Sequence, residues 1–426
     1  MLKNFKSTAT LVLLTMCGIM LCSPVPGEAA QGLTLTTVYS FTGSNFGSAS
    51  RYDGATPLRG NLLYSNQRIY GVTYGGGEND MGVIFQLPAT AAHQEPPALT
   101  LHSFTTQEGH PNGSLVADSQ GNLYGTTITG GAANLGTVFK LTPAGTYTIL
   151  HAFAGPDGAN PAAGVTLGPD GTLYGTAQKG GASSPPAIVE CSIGCGTVFK
   201  ITQSGTFQVI HSFGISERAA GPATNVVVDP QGNVIGTTST GLAANDGGQL
   251  FVISPAGKYS TVVIFVGPHA GVPVGNIVRD DAGNIYGMVF NANQNVYGQG
   301  PHGSGIFKVT AVTHQLVLLK VLEGQESYSG VVRDKAGNLY GTTTGVQNNG
   351  GLGGTTAGSV FALAPSGTLT ALAALSLDNI APLGGVIPDP SGILWGTTSA
   401  GGVYGGCPTA TNVTPTACGT VFSLSP

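Results

Sequence analysis

The seven letters GNLYGTT begin at Gly121 and return unchanged at Gly337, with GTLYGTA at Gly171 between them. A chain that rewrites one segment many times must build one supersecondary unit many times and bury the same faces in each copy. Aligned on the glycine after the aromatic residue, the copies fall at Gly71, Gly125, Gly175, Gly236, Gly287, Gly341 and Gly396, a mean spacing of about 54 residues. The preceding residue is Tyr70, Tyr124, Tyr174, Ile235, Tyr286, Tyr340 or Trp395.

Each copy carries three further signatures. Downstream come VIFQL at Val83, TVFKL at Thr137, TVFKI at Thr197, QLFVI at Gln249, GIFKV at Gly305, SVFAL at Ser359 and TVFSL at Thr420. In several copies TLHSF (Thr100), ILHAF (Ile149) or VIHSF (Val209) follows, and GSLVADSQGN (Gly113) or its relatives precede. Short β-branched and aromatic runs bounded by Gly, Pro and Asp read as strands, here four per unit, a to d. The a–b link holds Asp-x-x-Gly (Asp118, Asp229, Asp334, Asp389), and the c–d link holds TPAGT-like runs (Thr142). The first is a type I turn, with Asp at the first position and Gly in the left-handed one, and the second is again a tight hairpin. The b–c and d–a links are long and varied.

Four antiparallel strands per repeat predict propeller blades, and seven copies predict seven of them. A β-helix or open β array is the rival. Strands buried on both faces account for VF and LY pairs in place of strict alternation, and the recurring glycine is expected to let adjacent blades approach closely. The last copy supplies strands a to c, and LTLTTVYSF (Leu33–Phe41) matches strand d. The expected fold is therefore all-β, closed by an N-terminal strand that completes the last blade.

Composition narrows the setting. Charged residues are 8% of 426, against about 25% in ordinary soluble proteins. Beyond the N-terminus Gly and Thr interrupt every apolar run, so none reaches the length of a spanning helix. Residues 1–30 have Lys3 and Lys6, an apolar Ala9–Leu21 stretch and small residues at Gly27–Ala30, the pattern of a secretory signal peptide. A lipoprotein reading at Cys22 conflicts with Leu21, which stands where a small residue belongs. The propeller is then expected over 31–426, secreted, at the cell surface or in the periplasm. A net charge of −5 without a basic patch excludes nucleic acid as the natural partner. The expected partner is an extracellular ligand, a glycan or a protein, met by a monomer with no membrane span after signal cleavage.

The run GNLYGTTITGGAANLGTVFKLTPAGTYTILHAF (Gly121–Phe153) closely resembles the GloVer tandem repeat of exported bacterial proteins, and the resemblance extends over the mature chain. It implies a β-propeller and export, with no established activity and no functional residues to carry over.

Binding residues concentrate on variable loops set on a rigid scaffold, so the b–c and d–a loops are the place to search. Cys191 and Cys195 share one b–c loop, and Cys407 and Cys418 share another. Two local disulfides are the simple expectation for an exported chain, and a zinc site built from all four cysteines is the alternative. His102, His151 and His211 recur in one strand-d slot, where the N-terminal strand has Tyr39, and read as structural. His110, His269 and His302 lie in varied loops and are candidates for a base or a metal ligand. Asp53, Asp157 and Asp378 stand four residues before a proline and Glu108 three before one, with Glu323 in the corresponding loop of the fifth copy. They read as turn formers or as a partial acid ring that binds a cation or a polyol, calcium being the cation that takes many oxygens. No cofactor is predicted. No G-x-S-x-G, H-E-x-x-H or phosphate-binding loop occurs. The leading expectation is a non-enzymatic binding or surface-interaction scaffold. The alternatives are a lyase or hydrolase acting on a glycan or small molecule at the loop face, since DPQGN at Asp229 loosely resembles streptogramin-lyase-type propellers, and a structural envelope spacer. Exposed aromatics such as Tyr297 and Tyr404 around a groove would favour glycan binding.

Overall fold

The computed structural model describes residues 33–42, 53–57, 60–90, 98–181, 191, 194–214, 219–222, 224–241, 247–266, 271–290, 303–344, 358–375, 382–401 and 418–425. They form seven four-stranded antiparallel sheets arranged as a seven-bladed ring, as the repeat predicts. In blade 2 the strands are a, Pro111–Ala117; b, Leu123–Thr127; c, Thr137–Leu141; and d, Tyr147–Ala152. Blade 4 adds a small pair, Ala219–Ala220 with Thr240–Gly241.

Blade 7 is assembled from both ends of the chain. Its strands b (Leu394–Thr398) and c (Thr420–Ser425) are completed by the N-terminal strand Thr34–Ser40, in antiparallel register from Thr34 opposite Ser425 to Ser40 opposite Thr420. The sheet therefore ends in a paired strand where an open edge would otherwise stand.

A phenylalanine in strand c of each blade carries the core. Phe85, Phe139, Phe199, Phe251, Phe307, Phe361 and Phe422 are all buried. Each lies opposite the repeat glycine of its own strand b, as in the pairs Gly125–Phe139 and Gly341–Phe361. A Cβ on Gly125 would sit 2.6 Å from Phe139 Cζ, and one on Gly175 2.5 Å from Phe199 Cζ. The glycine is therefore required by an aromatic ring of the same blade, not by the approach of the next blade as the sequence suggested. None of the seven has a positive φ, so space and not backbone conformation fixes the residue.

Contact between blades comes from another ring. The residue just past strand d packs edge-on against the next blade's phenylalanine in five successive pairs: Phe41–Phe85, Phe104–Phe139, Phe153–Phe199, Phe213–Phe251 and Phe265–Phe307, with centroids 5.0–5.4 Å apart. Edge-to-face pairs of this kind add to the area they bury. Leu322 and Leu375 serve the remaining two interfaces, beside Phe361 and Phe422. Phe41 belongs to the N-terminal strand, so closure also supplies the packing of blade 7 on blade 1.

Candidate functional site: an axial funnel on the loop face

The a–b and c–d turns occupy one face of the ring, and the b–c and d–a loops the other. On the turn face one network recurs. Asp118 accepts hydrogen bonds from the backbone N–H of Gln120 and Asn122, from the Asn122 amide and, at 2.9 Å, from the Tyr124 hydroxyl. Asp280 with Asn284 and Tyr286, and Asp334 with Asn338 and Tyr340, repeat it, and at Asp389 the Trp395 indole N–H takes the tyrosine's place. Burial works against ionisation of Asp118, Asp280, Asp334 and Asp389, but these donors outweigh it and hold all four below the usual carboxylate range. Burial, reinforced by the Asp118 carboxylate, raises the Tyr124 phenol to about 12.

The loop-face acids grip the strand they follow. Glu108 meets His102 at 3.2 Å and accepts from the Thr105 N–H; Asp157 meets His151 at 2.8 Å and accepts from the Ala154 N–H. Asp53 accepts from the Tyr39 hydroxyl and from the N–H and hydroxyl of Thr42. Each carboxylate thus joins the same strand-d slot to the backbone three residues on. His102 and His151 also stack on the next blade's Tyr147 and Phe207, at 4.2 and 3.5 Å. Glu217 stands six residues after His211, as Glu108 does after His102, but lies outside the described residues, as do Asp378, His269, His302, Tyr297, Tyr404 and Cys407. Glu323 is the last residue of strand d in blade 5, one step before the loop where the sequence put it. Among the described residues no group of three or more His, Cys, Asp or Glu could hold a metal ion.

Cys191 and Cys195 form a disulfide, S–S 2.07 Å. Cys418 is also disulfide-bonded, to a partner outside the described residues.

His110 lies in the loop between blades 1 and 2, packed against the preceding blade. Its ring stacks on Tyr74 of the preceding blade at 4.3 Å, and Nδ1 lies 2.8 Å from the Tyr74 carbonyl oxygen. Its backbone carbonyl accepts from Ile128 N–H, as Asn160 does from Gln178 and Thr56 from Tyr74. His110, Asn160 and Thr56 therefore occupy one slot before the d–a proline, although the sequence shows no recurrence of the histidine. Backbone is held constant there while the side chain varies.

Of these three residues Asn160 lines a funnel of about 340 Å³ framed by blades 2 to 6. That it lies on the axis follows from Asn276 of blade 5, whose amide is 3.5 Å from Ser114 of blade 2. Blades three apart in a ring of seven meet only across the centre. Five carboxamides line it: Asn112, Asn160, Gln178, Asn225 and Asn276, with Ser239 and Tyr328 beside them. Asn112 donates to the Ala162 carbonyl at 2.9 Å, while its Oδ1 is buried without a partner. Tyr328 stacks on Phe290 at 5.2 Å and donates to Glu326. No described wall residue carries a charge. Sequence reasoning searched this face for histidines and acids and so passed over the amides; apart from Asn225 and Asn276, each four residues before the Asp of its a–b turn, they share no slot in the repeat.

Fold and funnel together define a loop-bearing seven-bladed propeller. The chain belongs to the Gloeobacter/Verrucomicrobia repeat family, whose model matches residues 28–189 and 190–410. No curated protein matches it. Among solved structures it is similar to an oligogalacturonate lyase from Vibrio parahaemolyticus, at 12% identity and a TM-score of 0.53, over 92% of this chain and 97% of that one. It is also similar to the extracellular domain of a one-component system from B. thetaiotaomicron, at 12% identity and a TM-score of 0.51. There it covers 91% of this chain but spans only 40% of the other. At such identity the likeness is one of fold.

Proposed function

We propose that the protein is an exported, non-catalytic binding propeller that holds a small neutral polar ligand in its axial funnel. The observation that carries this reading is the set of five carboxamides on a wall with no charged residue among its described members. Amides offer donors and acceptors without charge, and sites of a few hundred Å³ with convergent polar groups are the usual form of ligand pockets. The Tyr328 ring adds a flat apolar surface of the kind sugars pack on. A reaction of lyase or hydrolase type needs a base within reach of substrate, and the described wall offers none. Export is supported by the signal-like residues 1–30 and by the Cys191–Cys195 bridge, a bond at home in oxidising compartments.

Calorimetric titration with glucose, galactose, mannose and N-acetylglucosamine tests the reading. Binding that disappears in the Asn112→Ala, Asn225→Ala double variant supports it. Absence of binding to all four, or binding indifferent to the double variant, overturns it. Calcium at Asp53, Glu108, Asp157 and Asp378 is a separate proposal: a bound cation would have to draw Glu108 and Asp157 away from their histidines, so a calcium titration should show heat that Asp157→Ala removes.

A further inference from the structure

The turn face carries two grooves that the funnel does not use. One, about 520 Å³, lies between blades 2 and 3, and the other, about 370 Å³, between blades 1 and 2. They are the same site displaced by one repeat. Tyr124, Lys140 and Leu150 in the first correspond to Tyr70, Gln86 and Leu101 in the second, and the facing Leu173, Thr202 and Gly205 correspond to Leu123, Thr142 and Gly145. Both are walled by Ser119 and Gln120, the exposed tip of the Asp118–Gly121 turn, which forms a ridge between them. The two groove tyrosines, Tyr70 and Tyr124, are only half-buried, and the Tyr124 hydroxyl is held by Asp118.

The groove is not open in every blade. In strand a, the residue opposite the first position of strand b is Ala117 in blade 2 and Leu167 in blade 3, but Arg279 in blade 5 and Arg333 in blade 6. Arg333 lies over the Tyr286 ring of the preceding blade at 6.0 Å. The strand-c lysine beside the ring is common to both kinds of groove, Lys308 at 5.5 Å from Tyr286 and Lys140 at 5.7 Å from Tyr124, so the arginine is what sets them apart. An arginine at this position thus adds a second cation over the tyrosine, where the uncharged Ala117 and Leu167 leave that side of the ring open to the groove.

We propose that the two open grooves are adjacent subsites for successive units of a neutral linear glycan. A half-buried aromatic ring with an amide and hydroxyl rim (Gln120, Gln203, Thr202) suits a pyranose, which presents a flat apolar face and equatorial hydroxyls. Two equivalent subsites across one ridge suit a ligand that itself repeats, and each added subsite multiplies affinity through effective concentration. The Asp118 carboxylate is already saturated by four donors, so the groove does not select for cations.

The test copies the chain's own blocking device. Ala117→Arg and Leu167→Arg place in blades 2 and 3 the residue that blades 5 and 6 already accommodate, so the fold should persist, and circular dichroism and the melting point verify it. The full chain is run through native gels containing laminarin, hydroxyethylcellulose or glucomannan, and laminari- and cello-oligosaccharides of two to six units are titrated calorimetrically. Retardation by one of these polymers, with affinity rising at least tenfold from the disaccharide to the hexasaccharide, is expected. Each single arginine variant should remove most of that length dependence and the double variant should abolish binding, while Asn112→Ala with Asn225→Ala leaves it intact. Binding that survives the double arginine variant, affinity independent of chain length, or no interaction with any of these polymers overturns the proposal. The funnel reading is untouched by those outcomes, because its ligand is read with the asparagine variants.

Discussion

The two faces of this ring are built from the same repeat by opposite rules. On the turn face the side chains recur: Asp118, Asp280 and Asp334 hold the same Asn and Tyr donors, and Asp389 holds Trp395 in the tyrosine's place. On the loop face the backbone recurs and the side chains change: Thr56, His110 and Asn160 share a slot and a carbonyl hydrogen bond and have nothing else in common. The first face spends its polar groups on holding the chain. The second holds the chain with backbone and with the d–a acids Asp53, Glu108 and Asp157, and leaves the side chains of the slots before the proline for something else. A repeat protein can thus vary its contact surface without altering the scaffold, provided the variation is confined to positions whose side chains the scaffold does not need.

The contrast can be broken at several depths. The largest effect should come from the closing strand: removing residues 33–41 unpairs blade 7 and withdraws Phe41 from blade 1. Phe41→Ala alone should cost about 3–5 kcal/mol, the range for emptying a buried aromatic site, measured by urea unfolding. A loss below about 1 kcal/mol would mean that the ring is held elsewhere.

Acid should come next, and it should act through the turn face. Asp118, Asp280, Asp334 and Asp389 have folded pKa values below their unfolded ones. Their contribution is therefore full above the unfolded value near pH 4 and is lost as pH falls through that value toward the folded ones. Melting temperature should drop across that window in the wild type, and less steeply when Asp118 and Asp334 are both replaced by Asn. The funnel has no group titrating there among its described walls, so its ligand affinity should stay flat from about pH 5 to 8, outside the window in which the scaffold weakens.

A smaller, local effect is expected at Gly125→Ala. The new Cβ would meet the Phe139 ring at 2.6 Å, and overpacking of this type costs about 1–3 kcal/mol. Chemical denaturation checks it, and an unchanged midpoint would show that the ring can move aside. The smallest effect should be Asn160→Ala, within about 0.5 kcal/mol on stability because its backbone makes the structural bonds, yet with a measurable loss of ligand affinity. Sizeable destabilisation there would erase the distinction between the faces.

Much of the scaffold could be read from the letters, because a repeat averages out local ambiguity. GNLYGTT and TVFKL located strands b and c in every blade, and LTLTTVYSF was recognisable as a displaced strand d because it matches that segment alone. The reason for the glycine was not legible, since a ring on the neighbouring strand and a neighbouring blade demand the same absence of a Cβ. The acids of the d–a loops were visible as a pattern, but only coordinates link Asp157 to His151. The funnel was hidden for the reason that makes it a candidate: most of its residues do not repeat, and amides lack the chemical signature that draws attention to histidine or cysteine.

Closure by the N-terminal strand also has a kinetic meaning. Six blades consist of contacts between near neighbours in sequence and can form as soon as their residues are available. The seventh requires Thr34 to find Ser425, the most distant pairing in the sheet set, and such encounters are slow. Until then the first-made strand waits as an unsatisfied edge, able to pair with the wrong molecule. The chain's main hazard thus falls before maturity: a protein stable once shut should be prone to exchange its first strand between copies when it is made or refolded at high concentration.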